Sequence, residues 1–71
     1  MIKEGQVYKE INNPEFRQVD KRKFVITRIE FISAYVVYED GETDTVGLRY
    51  VEGDCKLVKE YKSWKEAVSE L

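Results

Sequence analysis

Histidine is absent from the 71-residue chain, and this absence removes the commonest general base and metal ligand of proteins. The single cysteine, Cys55, cannot form an intramolecular disulfide, which favours a reducing, cytoplasmic compartment. No apolar run approaches the ~20 residues of a membrane-spanning helix, and the N-terminal residues lack the apolar core of a signal peptide. We therefore expect a cytoplasmic protein that does not enter a membrane.

Residue patterns that carry enzyme chemistry are also scarce. The four glycines stand singly, so there is no glycine-rich phosphate-binding loop. Asp40, Glu42 and Asp44 alternate as in some calcium loops, but they miss the EF-hand spacing, and solvated turn charges are the better interpretation. Cys55 has no histidine to activate it, so a buried small hydrophobic residue is a better interpretation than a nucleophile. We expect no enzyme activity, no metal and no cofactor.

Charge is balanced overall but uneven along the chain. Twelve basic and 14 acidic residues give a net charge of −2, which lacks the field of a non-specific nucleic-acid binder. Basic residues concentrate in 17–28, and this pattern predicts either a site for single-stranded nucleic acid or a solvated strand edge. The candidate nucleic-acid-binding residues are Phe16, Arg17, Lys21, Arg22, Lys23 and Arg28.

Acidic residues concentrate in 39–54. A solvated face is the simplest interpretation of such a segment. The alternatives are a surface for a basic protein, a mimic of nucleic-acid charge, and a contact with the basic segment of a second copy.

Alternating apolar and polar side chains predict five β-strands. The dipeptide Asp40-Gly41 between the third and fourth strands indicates a hairpin, because both residues tolerate the positive φ of a tight turn. The predicted strands cover residues 5–11, 22–30, 34–39, 43–51 and 55–58.

The second predicted strand contains a break in its alternation. Phe24 and Ile26 share one face, whereas strict alternation would place Ile29 on the other. We expect a β-bulge near Thr27 and Arg28, because one extra residue would return Ile29 to the core and bend the strand.

Residues 63–71 predict a short C-terminal helix. Ser63 and Glu66 fit a capping box, in which each residue satisfies an amide of the other. About nine residues do not stay helical alone in water, so the apolar stripe must dock, and the open end of a barrel is the nearest surface. The stripe consists of Trp64, Ala67, Val68 and Leu71.

The turn between the second and third strands has unusual chemistry. Residues 30–33 place Phe31 and Ile32 where glycine, asparagine or aspartate is normal. Exposed, adjacent apolar residues mark a contact surface, unless the C-terminal helix covers them. Tyr35 and Val37 would either extend this patch or serve only as cross-strand pairs. The candidate protein-binding residues are therefore Phe31, Ile32, Tyr35 and Val37.

These patterns predict one domain over 1–71, of the all-β class. It is a five-stranded antiparallel barrel over about 5–58 with the helix over about 63–71. The predicted core consists of Val7, Phe24, Ile26, Ile29, Ala34, Val36, Val46, Leu48, Leu57, Trp64, Val68, Tyr38 and Cys55.

The layout from Gly5 to Val58 resembles small SH3-like barrels, a group that includes KOW and Tudor-type modules. It is also similar to short uncharacterised proteins of Gram-positive bacteria and their phages. The resemblance implies an SH3-like fold and names no site residue. It rests on Gly5-x-x-Tyr8, Arg22-x-Phe24-x-Ile26-x-x-Ile29, Ala34-x-Val36-x-Tyr38-x-Asp40-Gly41 and Cys55-x-Leu57-Val58.

The function that we expect is a non-enzymatic binding module whose partner is another protein or a second copy of the chain. The resemblance to phage proteins suggests that a phage or mobile element encodes it. The alternative is a small nucleic-acid-binding barrel that uses the basic segment 17–28.

Overall fold

Five strands and two helices form the part of the chain that the computed structural model describes, residues 1–13 and 18–71. The strands make one antiparallel sheet in the order β4-β3-β2-β1-β5, with β4 and β5 as its edges. The predicted mainly-β class is therefore confirmed, and the sheet does not close on itself. The elements are β1 Gln6–Glu10, β2 Lys23–Glu30, β3 Ser33–Tyr38, β4 Thr43–Gly47, α1 Leu48–Asp54, β5 Cys55–Glu60 and α2 Trp64–Glu70.

The sheet packs against one helix on each face. On the inner face, aromatic rings from three neighbouring strands meet: Phe24 stacks on Tyr8 at 6.1 Å and meets Tyr38 edge-on at 5.7 Å. Val51 of α1 joins this cluster. On the outer face, α2 packs over β1 and β2. The buried outer cluster consists of Val7, Val25 and Ala67, with Tyr61, Trp64 and Val68 packed against it.

The bulge predicted in β2 is confirmed. Ile26 pairs with Val36 and Arg28 pairs with Tyr35, so Thr27 is the extra residue. Beyond it Ile29 packs against the inner cluster, as the break in alternation predicts.

The Asp40-Gly41 hairpin is also confirmed, but its turn has a different form. The Tyr38 amide donates to the Glu42 carbonyl at 2.7 Å, and the Gly41 amide donates to the Tyr38 carbonyl at 2.9 Å. Within this turn, Gly41 alone has a positive φ, 91°. This pattern is that of a three-residue loop, in which only the last residue needs the left-handed conformation.

The fourth strand ends at Gly47, so the prediction of a strand through residue 51 is wrong. Leu48 to Asp54 form helix α1 instead. The alternation predicted in a strand is present at Val46, Leu48 and Tyr50. The three-residue spacing of one helix face is also present, at Leu48 and Val51. Burial of Val51 decides between the two patterns, because as a helix the segment covers the inner face next to β4 and β5.

The predicted core is partly confirmed. Leu57 is 45% exposed, because it lies on the edge strand β5, and its assignment to the core is wrong. Tyr8, Val25, Val51 and Ala67 are buried although they were not predicted, because helices cover both faces of the sheet. Val7, Phe24, Ile26, Ala34, Val36, Tyr38 and Cys55 are buried as predicted, while Ile29, Val46, Leu48, Trp64 and Val68 are half-buried.

The C-terminal helix forms as predicted but docks elsewhere. Its N-cap Ser63 accepts a hydrogen bond from the Glu66 amide at 3.2 Å. The chain reaches the outer face by passing Gly5, whose carbonyl accepts from the Tyr61 amide at 3.1 Å. We expected the helix to cover the open end of a barrel. This expectation is wrong, because α2 packs across β1 and β2.

Candidate protein-binding surface

The loop of the β2–β3 hairpin carries two strongly exposed apolar side chains. Glu30 pairs with Ser33, so Phe31 and Ile32 alone form the loop. Phe31 is 98% exposed and Ile32 is 73% exposed, so α2 does not cover them. We call these two residues the tip. The amide of Leu48 donates to the Ile32 carbonyl at 2.9 Å, which fixes the tip to the start of α1.

Phe31 adopts a left-handed backbone conformation, with a φ of 55°. Bulky residues rarely adopt this conformation, because the Cβ atom approaches the backbone, at a cost of about 1–2 kcal/mol. Asparagine or glycine at this position would remove both the strain and the exposed ring. Sterically costly backbone that persists at an exposed position points to function rather than to packing.

Tyr35 and Val37 lie on the outer face of β3, beside the edge of α2. With Thr27, Arg28 and Trp64 they line a groove of about 600 Å³, to which Glu4 also contributes. We call this the outer groove. Tyr35 is 42% exposed, and Val37 is half-buried. Both residues also serve as cross-strand pairs: Tyr35 lies opposite Arg28 and Val37 lies opposite Val25.

The structure therefore divides the four predicted protein-binding residues between two places on one hairpin. Phe31 and Ile32 form the protruding tip, and Tyr35 and Val37 line the outer groove. Tyr35 lies three residues along β3 from Ile32, which corresponds to about 10 Å.

Two opposite charges lie where the outer groove approaches the tip. The Arg28 guanidinium is 3.5 Å from the Glu30 carboxylate, and both side chains are more than half exposed. The Arg28 guanidinium also lies 6.0 Å from the centre of the Tyr35 ring. An exposed pair of this kind contributes little to stability, so both charges remain open to a partner.

The predicted nucleic-acid-binding residues do not form one surface in the described part of the chain. Arg22 binds three carboxylates, those of Asp20 at 2.9 Å, Asp40 at 2.9 Å and Glu42 at 3.3 Å. Its guanidinium also stacks on the Tyr38 ring at 3.9 Å. The basic and acidic segments therefore meet within one molecule.

The remaining basic residues are separated. Lys21 and Lys23 are exposed near the start of β2, whereas Arg28 lies towards its other end, beyond the bulge. Phe16 and Arg17 lie outside the described residues. A phosphate backbone needs a continuous track of cations, and the described residues supply short pieces of one.

The contacts of Arg22 lower the pKa values of two carboxyl groups, those of Asp20 and Asp40. Hydrogen bonds from the Arg22 side chain lower the pKa of Asp20 below its ordinary value of 3.8. A hydrogen bond from the Glu42 amide, and then one from Arg22, lower the pKa of Asp40. Both carboxylates are therefore held ionised in the folded protein.

Sequence reasoning missed a polar cluster beneath the inner face. The carboxylate of Glu10 is buried, and it accepts hydrogen bonds from the Tyr50 hydroxyl at 2.6 Å and the Asp20 amide at 2.5 Å. An open acidic groove of about 890 Å³ lies beside it, lined also by Asp44 and Asp54. Glutamate on an alternating strand normally indicates the solvent side, so no sequence signal identified this cluster.

Cys55 belongs to the inner cluster as a free, buried thiol. Burial raises the pKa of the thiol to about 11. A protonated, enclosed thiol suits the structural role that the sequence favours.

The described residues supply no group of three or more cysteine, aspartate or glutamate side chains that could hold a metal ion. None of their helices has the length and apolar character needed to cross a membrane. Comparisons with known proteins found no matching family model, no matching curated protein and no matching solved structure.

Proposed function

We propose that this protein is a non-enzymatic binding module that recognises a protein partner through the tip and the outer groove. The observation that carries the proposal is Phe31, which is exposed and strained at the same time. Aromatic side chains dominate the energy of protein interfaces when a partner buries them. Tyr35 and Trp64 supply two further aromatic residues on the same side of the sheet.

The fold that we propose for this module is a partly open relative of the SH3-like barrels. Three features support it: the strand order β4-β3-β2-β1-β5, the bulge that bends β2, and the helical turn that connects β4 to β5. Barrel-like sheets use such bulges to curve.

Phe31→Ser tests the proposed surface. Tagged protein would capture partners from cells of the native host, and quantitative mass spectrometry would compare the wild type with the variant. Ile11→Ser is the matched control, because Ile11 is 58% exposed and lies beyond β1, at the end of the sheet opposite the tip. We expect Phe31→Ser to lose the partner and Ile11→Ser to keep it. Equal capture by all three proteins would exclude the tip.

The nucleic-acid alternative has weaker support, because three carboxylates already bind Arg22 and the other described basic residues of the segment lie apart along β2. Fluorescence anisotropy with single- and double-stranded oligonucleotides at low salt separates the two proposals. We expect no binding. Binding that falls steeply with salt and weakens on Arg22→Glu would favour the alternative.

A further inference from the structure

An acidic groove lies beside Glu10 on the inner face of the sheet, the face opposite the outer groove. We call it the inner groove. Its volume of about 890 Å³ is in the range of small-molecule sites. Four carboxyl groups line it, and none of the described lysine or arginine residues does. These carboxyl groups belong to Glu10, Asp20, Asp44 and Asp54.

Three of the four carboxyl groups have no cationic partner. Arg22 binds Asp20 at 2.9 Å. In contrast, Glu10, Asp44 and Asp54 form no ion pair with any described residue. Their hydrogen-bond donors are neutral amide and hydroxyl groups. A cleft lined by one sign of charge raises the local concentration of ligands of the other sign, so these groups favour a cation.

The hydroxyl of Tyr38 points to a ligand independently of these charges. Tyr38 is only 7% exposed, and its hydroxyl makes no hydrogen bond with the described residues, whereas the hydroxyls of Tyr8 and Tyr50 both donate one. Buried tyrosine hydroxyls normally have a partner. No fully enclosed side-chain oxygen in the described part of the chain lacks a partner, so the Tyr38 hydroxyl must be accessible. Because Tyr38 lines the inner groove, its hydroxyl is aimed into that groove.

The polar groups of this site accept hydrogen bonds rather than donate them. Carboxylates only accept, and the oxygen of a neutral phenol accepts as well as donates. Burial and then the charge of Asp44 raise the pKa of Tyr38, so its hydroxyl stays neutral. A ligand that satisfies these groups must combine positive charge with N–H donors. A metal ion does not fit, because the described residues supply no group of three or more acidic or cysteine side chains that could hold one.

The arrangement of the inner groove favours an elongated ligand. Glu10 lies on β1 and Asp44 on β4, and two strands separate β1 from β4 in the sheet. Val46 and the ring of Tyr50 are half-buried and line the same groove. Methylene groups gain free energy from contact with such apolar surface, whereas an inorganic ion does not. A hydrocarbon chain that carries several ammonium groups matches both the dispersed acceptors and the apolar wall.

From this match we infer that the inner groove binds a linear aliphatic polyamine. One ammonium group donates a hydrogen bond to the Tyr38 hydroxyl, and the others pair with the carboxyl groups that lack a cation. Hydrogen bonds from a charged donor are about twice as strong as those between neutral groups. This site is additional to the proposed function, which uses the tip and the outer groove.

Isothermal titration calorimetry with spermidine tests the inference, and amide chemical shifts locate the site. We expect saturable binding, with the largest shifts near residues 10, 38 and 44–50. Tetramethylammonium has positive charge but no N–H donor, and Mg²⁺ has no alkyl chain. We therefore expect neither ion to displace spermidine at matched ionic strength.

Tyr38→Phe is the sharpest variant, because it removes one oxygen atom that makes no hydrogen bond with the described residues. We expect its urea midpoint to match that of the wild type. Its affinity for spermidine should fall about tenfold, as for the loss of one hydrogen bond to a charged group. Tyr35→Phe is the matched control, since it removes a hydroxyl on the opposite face and should bind spermidine like the wild type.

A second pair of variants separates the groove from the net charge of the protein. Asp44→Asn and Glu52→Gln each remove one negative charge at an exposed position, and Asp44 lines the inner groove whereas Glu52 does not. We expect Asp44→Asn to weaken spermidine binding more than Glu52→Gln does. Equal losses would show attraction to the whole molecule and would overturn the inference.

Absence of saturable spermidine binding would also overturn the inference, as would unchanged affinity in Tyr38→Phe or displacement by tetramethylammonium. Acetylated and amidated trilysine carries the same charge as spermidine on a peptide. Tighter binding of trilysine would assign the groove to lysine side chains of a protein and overturn the polyamine assignment. Phe31→Ser should bind spermidine like the wild type, so failure here is distinguishable from failure of the proposed function.

Discussion

Phe31 combines an exposed aromatic ring with a strained backbone, and neither property increases the stability of the fold. Its ring gains almost no burial, and its backbone is held in the left-handed region by a two-residue turn. Asparagine tolerates that region because its short side chain bonds locally. Under the proposed function, this residue lowers the stability of the fold and contributes to binding of the partner.

We predict that Phe31→Asn raises the free energy of unfolding by about 1 kcal/mol, because it relieves the strain and removes no buried contact. Urea unfolding at low protein concentration measures this change. Phe31→Leu is the control, since it keeps a bulky residue with a positive φ and should gain nothing. A less stable Phe31→Asn protein would show that the ring makes stabilising contacts.

Single residues also show where sequence reasoning stops. Gln6 and Glu10 alternate with Val7 as solvent-facing residues normally do, yet both are buried. Glu60 accepts from the Gln6 amide group at 2.6 Å, and the Tyr50 hydroxyl donates to Glu10. These partners lie 54 and 40 residues away, so no local pattern predicts them.

The docking of α2 depends on a close approach of two chain segments. Gly5 has a φ of 90°, and a Cβ atom there would lie 2.7 Å from the Tyr61 carbonyl oxygen. A side chain would therefore push away the segment that leads from β5 into α2. The position needs glycine for both its conformation and its space.

We predict that Gly5→Ala destabilises the protein by more than Gly41→Ala. Gly41 has nearly the same φ, 91°, but nothing within 4 Å of its missing Cβ, so it pays only the conformational cost of about 1–2 kcal/mol. Chemical denaturation followed by the fluorescence of Trp64 reports both global stability and the environment of α2. Equal losses in the two variants would contradict the steric role of Gly5.

Ion pairs of Arg22 connect two parts of the fold. Its contacts link the start of β2 to the β3–β4 turn through Asp20, Asp40 and Glu42. A carboxyl whose pKa is lower in the folded than in the unfolded state stabilises the fold above its unfolded pKa. That stabilisation is lost as the pH falls through the folded pKa.

We predict that the wild type loses stability below pH 3.8, the ordinary value from which the pKa values of Asp20 and Asp40 are lowered. Arg22→Gln should be less stable at neutral pH and should lose less on acidification, because the main cause of the lowered Asp20 pKa is gone, while Asp40 keeps its hydrogen bond from the Glu42 amide. Thermal melts across this pH range measure both effects. The exposed Arg49→Gln serves as the control, and an Arg22→Gln profile parallel to that of the wild type would contradict the linkage.

Elements differed in how well the sequence predicted them. The β2 bulge was predictable because one residue, Ile29, breaks a period of two. Helix α1 was not, because Val46, Leu48 and Tyr50 fit a strand while Leu48 and Val51 fit a helix. Only the inner face that Val51 covers resolves this ambiguity, and that face exists only in the folded sheet.

At the scale of the whole molecule, the core is thin and shared between two faces. Phe24 touches both neighbouring aromatic rings and is 1% exposed, whereas Leu57 lies on an edge strand. A domain of this size has a total stability of only about 5 kcal/mol. Single core residues therefore decide whether the chain folds.

We predict that Phe24→Ala costs about 3–5 kcal/mol and leaves the protein largely unfolded. Leu57→Ala, the matched control from the edge strand, should cost less than half as much. Far-ultraviolet circular dichroism during urea titration compares the three proteins. A Phe24→Ala midpoint close to that of the wild type would refute the position of the core.

Strand β1 lies between β2 and β5, although its partners on β5 are far along the chain: Gln6 meets Glu60 across 54 residues. The meander from β2 to β4 needs only short turns, so it is free to form early. Pairing of β1 with β5 is slower, because it must close a long loop and therefore has a larger entropic cost. During synthesis on a ribosome, β1 therefore remains unpaired on its β5 side until residues 55–60 have left the exit tunnel.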